Sequence, residues 1–84
     1  MSAKVVSLHH HAPRAIRETA ERVARARFRA ARRALGWSQL QAAMWLGVAR
    51  STVEDWERGA TRVQAWALVA LEQHAAEHAQ QEAA

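Results

Sequence analysis

The chain has 84 residues, half of them hydrophobic, with three Gly, one Pro and 24% charged side chains, a balance that fits one small folded domain and excludes a disordered composition. It has no Cys, which excludes a disulfide framework, a cysteine nucleophile and a thiolate metal site. The formal charge is +4, but residues 1–36 hold nine basic side chains against two acidic ones, so an anionic partner is expected: nucleic acid first, an anionic membrane surface second.

Residues 1–12 show no periodicity and are expected to form a flexible arm. Val5, Val6 and Leu8 are the only branched aliphatic side chains there, too few for a signal-peptide core. No apolar run approaches the roughly 18–20 residues of a membrane span, so a cytoplasmic protein that does not enter membranes is expected. A helix is predicted from Pro13, which suits a first turn, to Leu35, with Gly36 ending it. Ile16, Ala20, Val23, Ala24, Phe28, Ala31 and Leu35 share one face of that helix. Arg14, Arg22, Arg25, Arg29, Arg32 and Arg33 fall on the other.

Ser38-Gln-Leu-Gln41 is a capping box that opens a second helix, which Gly47 closes after Leu46. A third helix fits Arg50 to Arg58, with Val53 and Trp56 inward and Gly59 as its stop. Thr61-Arg-Val-Gln64 has the form of a second capping box and is predicted to open a fourth helix. Its apolar stripe is Val63, Trp66, Ala67, Ala70 and Leu71, with His74 at the same spacing. Trp56 and Trp66 read as core, Trp37 as a wedge between helices and Trp45 as half-buried. Residues 76–84 read as a tail or an extension of the last helix. No strand pattern and no internal repeat occurs, so the fold class is all-α.

Arg32-Arg-Ala-Leu-Gly-Trp-Ser-Gln39 followed by Leu46-Gly-Val-Ala-Arg-Ser-Thr-Val-Glu-Asp-Trp-Glu-Arg-Gly59 resembles the Xre-type helix-turn-helix domain of lambda-repressor-like and Cro-like regulators. The likeness implies a small lambda-repressor-like bundle of four to five helices over residues 13–75, with the motif at 38–59. Small Ala43 suits a steep helix crossing, Gly47 a sharp turn, and Val48, Val53 and Trp56 the anchoring of the third helix. Two departures stand out. Ala49 replaces the usual Ser or Thr cap, and Val63 stands where a Pro is common.

The resemblance implies double-stranded DNA as partner and assigns roles to residues. Arg50, leading the third helix on its solvent side, is the candidate for a bidentate contact to guanine, with a phosphate clamp as its other use. Ser51, Glu54 and Asp55 complete the candidate base-reading set, Asp55 by accepting from cytosine or by repelling wrong sequences. Gln39, Thr52, Arg58, Thr61 and Arg62 are the candidate phosphate contacts. The likeness also pairs Arg32 with Glu57 as a structural ion pair.

One such domain offers too few base contacts to select an operator, so a homodimer on a palindromic site is expected, with the protein acting as a repressor of phage or mobile-element type. Leu68, Val69 and Glu72, placed off the core stripe, are the candidate dimer interface. The alternative is an antitoxin or other interaction module whose helix-turn-helix serves autoregulation, with a toxin or another regulator as protein partner. The His9–His11 tract lies in the expected flexible arm and the His74/His78 pair lacks a placed third ligand, so neither a metal nor any other cofactor is expected. No nucleophile with a base and no glycine phosphate cradle appears, so no catalytic residue and no enzyme activity are expected.

Overall fold

The computed structural model describes residues 13–83; the expected arm, with Lys4 and the His9–His11 tract, lies outside them. Four helices follow one another: α1 (Arg14–Ala34), α2 (Gln39–Leu46), α3 (Arg50–Arg58) and α4 (Ala65–Ala83). No strand occurs among the described residues. None of the helices is long and apolar enough to cross a membrane.

Pro13 stands just before α1 and not inside its first turn. Its backbone is extended and its carbonyl accepts the Ile16 and Arg17 amides, both at 3.0 Å. At the other end Gly36 takes a φ of 71°, and the Gly36 and Trp37 amides return to the carbonyls of Arg33 and Arg32. That is the paired bond pattern with which a left-handed residue closes a helix. The Ser38 box forms in full: Oγ accepts the Gln41 amide at 3.1 Å, and Gln41 Oε1 accepts the Ser38 amide at 2.7 Å. Ala49 sits at the α3 cap position in extended backbone with no side chain to offer.

The start of α4 differs from the expected one. The carbonyl of Asp55 still holds the amides of Ala60 and Thr61, at 2.9 and 3.3 Å, so the chain is finishing α3 where Thr61 was to open a new helix. Val63 is buried from this non-helical stretch, and Gln64 supplies the first carbonyl of α4. Because Val63 is not on the helix, it cannot set the phase of the stripe. The buried face is Ala67, Leu68 and Leu71, with Ala75 packed beside them, one step round from the expected face. Trp66, expected in the core, is therefore 53% exposed, and Leu68, expected outside, is 8% exposed.

The core joins that face to Phe28 and Ala31 of α1, Leu35 just past its end, Ala43 of α2, and Val53 and Trp56 of α3. Phe28 meets Trp56 edge-on, with ring centroids 5.5 Å apart. Trp37 wedges at the end of α1 beside Trp45 and His74, and His74 stacks on Trp45 at 4.7 Å. The core reaches α1 only from Ala24 onward, so Ile16 and Val23, on the same apolar face, are exposed. Past residue 75, α4 continues unbroken to Ala83: the Ala-, Gln- and Glu-rich extension contains no Gly or Pro to stop it.

Candidate nucleic-acid interface

Helix α3 turns Val53, Trp56 and Glu57 inward at helical spacing. Arg50, Ser51 and Arg58 are left exposed, with Thr52, Glu54 and Asp55 partly so. Two of the inward residues are apolar and one is a carboxylate, which must be paired to be tolerated there. Arg32 of α1 supplies the main partner: Nε donates to Glu57 Oε2 at 2.7 Å and Nη2 to Oε1 at 2.8 Å. The remaining Nη1 of Arg32 donates to the Trp37 carbonyl at 3.0 Å. Arg29 adds Nη2 to the Glu57 carbonyl at 2.9 Å and Nε to Oε1 at 3.3 Å, and Gln39 Nε2 reaches Oε1 at 3.3 Å.

Burial pushes the Glu57 carboxyl up, but Arg32, Gln39 and Arg29 together outweigh it and hold the group below the usual carboxylate range. The hydrogen bond to Glu57 in turn raises Arg32, against the opposing effect of its own burial. Among the described residues no buried side-chain nitrogen or oxygen lacks a hydrogen-bond partner. Side chains from α1 and α2 thus converge on one carboxylate of α3, which ties α3 to the body.

The sequence pairs Arg32 with Glu57 only through the family likeness, and it misses Arg29. A helical wheel puts Arg29 on the polar side of α1, yet its three-residue spacing from Arg32 aims both at Glu57. Gln39, a candidate phosphate contact, directs its amide nitrogen at Glu57 instead of at solvent.

On the outward face each cation has an acid beside it. Arg50 Nε donates to Glu54 Oε2 at 2.9 Å, and Arg58 donates through Nε and Nη2 to Asp55 Oδ1 at 3.1 and 2.7 Å. Arg62 lies 3.7 Å from Glu21 of α1. Thr61 is exposed in the loop between Arg58 and Arg62, with Gly59 at a φ of 83° turning the chain. Of the candidate dimer residues, Val69 is exposed, Leu68 is in the core, and Glu72 accepts from Arg27 Nε at 2.8 Å within the same chain.

Two short helices joined by a left-handed glycine turn, the second presenting a polar outer face, make this a helix-turn-helix domain. A helix-turn-helix domain family model matches residues 14–76, most of the chain, and the chain belongs to that family of DNA-binding regulators. No curated protein and no solved structure matched it significantly.

Proposed function

We propose that the protein is a transcriptional repressor, acting in the cytoplasm without an enzymatic role, that binds a palindromic operator as a homodimer. The single observation behind this reading is the attitude of α3. Its inner side is held by Val53, Trp56 and the Glu57 ion pair, while Arg50, Ser51, Thr52, Glu54 and Asp55 occupy the side left for a major groove. Arg58, Thr61 and Arg62 flank that face where a phosphate backbone would run. In this reading the regulator is of phage or mobile-element type, with a second copy supplying the second half-site. Trp66 and Val69, 53% and 51% exposed on neighbouring positions of α4, support a self-contact there.

Selection of bound sites from random duplex DNA tests the reading. The expected product is an inverted repeat whose half-sites lie about one helical turn, or a multiple of it, apart. Recovery of unenriched sequence would refute it.

A further inference from the structure

Arg50 is the first residue of α3, and its side chain is 62% exposed. Only its Nε is engaged, by Glu54 Oε2 one turn along the helix at 2.9 Å. Neither Nη1 nor Nη2 has a partner among the described residues. Arg58 differs, since Nε and Nη2 both close on Asp55 Oδ1. Guanine offers two acceptors, O6 and N7, along its major-groove edge, and a guanidinium meets them with two N–H groups. With Nε taken by Glu54, the end of the Arg50 fork, Nη1 with Nη2, is the edge that remains free for that match.

From this geometry we propose that Glu54 is a positioning residue for Arg50: it holds the guanidinium end-on toward the base and reads no base itself. The inference rests on α3 reading base edges. A long exposed arginine loses rotamer freedom when it binds, and an acid that already restrains it reduces that loss. The same acid weakens attraction to every phosphate, so its effects on discrimination and on overall affinity have opposite signs. A carboxylate on a helix that enters a polyanion is therefore accounted for by selectivity and not by strength of binding.

The test compares wild type, Arg50→Ala, Glu54→Ala, Glu54→Gln and the double alanine variant. Each is measured on the selected operator, on operators with every base pair replaced singly, and on random duplex, at one salt concentration. Arg50→Ala is expected to abolish preference at one base pair. Glu54→Ala is expected to reduce preference at that same pair by about threefold to tenfold, the scale of one immobilised side chain, while binding random duplex more tightly than wild type. Glu54→Gln keeps an acceptor oxygen for Nε and is expected to retain most of the preference, still with tighter random binding. In the Arg50→Ala background, removing Glu54 should leave that base pair unaffected.

A change of preference at a different base pair on Glu54→Ala overturns the proposal, because Glu54 would then read a base directly. An unchanged preference at the pair lost in Arg50→Ala overturns it as well, and leaves base reading by α3 standing. If wild type prefers no sequence, or Arg50→Ala alters no base pair, base reading by Arg50 fails and the positioning role with it.

Discussion

At Glu57 a carboxylate with a side chain only 2% exposed depends on Arg32, itself 12% exposed. Arg32→Ala leaves that charge with one longer bond from Arg29 and one from Gln39. Breaking a buried pair by removing one partner costs about 3 kcal/mol, which lowers the melting temperature of so small a domain on the order of 15 °C. A melting temperature unchanged by Arg32→Ala would show that the pair does not hold α3. Acid should act on the same contact. The folded pKa of Glu57 is depressed, so its stabilisation is complete above the ordinary carboxylate value of about 4.3 and is lost as pH falls through the lower folded value. Glu72 follows in the same direction, held down chiefly by its bond from Arg27. Thermal melts should therefore stay level from neutrality to roughly pH 5 and fall below about pH 4; a flat profile down to pH 3 contradicts this.

Among the helices, the clearest deficit is at the start of α3, where Ala49 has the extended backbone of a cap residue and no hydroxyl. Ala49→Ser should raise stability by about 1 kcal/mol in a thermal melt, and no gain would mean that the free amides of α3 are already satisfied. The buried face of α4 has an equally direct check. Leu68→Ala should cost about 2–4 kcal/mol, while Val69→Ala, at a position exposed on the single chain, should stay within about 0.5 kcal/mol in protein dilute enough to be monomeric. Equal costs would restore the phase read from the sequence alone. Helix ends marked by local chemistry were readable in the sequence: the Ser38 box, and Gly36, Gly47 and Gly59 in left-handed backbone. The start of α4 was not. Thr61 has the right residues after it for a cap, but its amide is already bound to the Asp55 carbonyl, a contact no local pattern announces. The misplaced Trp66 and Leu68 both follow from that one error.

The molecule measures 50 × 30 × 22 Å, long for its size because the first turns of α1 and the last turns of α4 extend past the shared core. A helical wheel cannot show which part of a long helix a small body will cover, which is why Ile16 and Val23 share the apolar face of α1 and yet stand exposed. If Trp66 and Val69 form the self-contact, the Trp66→Glu/Val69→Glu variant should sediment as a folded monomer with weak operator binding. A dimer that survives both changes lies elsewhere on the surface. Docking of α3 in the groove of DNA is checked by amide chemical-shift mapping with isotope-labelled protein and the selected duplex. The largest shifts are expected along α3 from Arg50 to Asp55, at the start of α2 and in the loop from Gly59 to Arg62, with residues 76–83 of α4 unmoved. Shifts concentrated on α4 or on the first half of α1, with α3 silent, would contradict it.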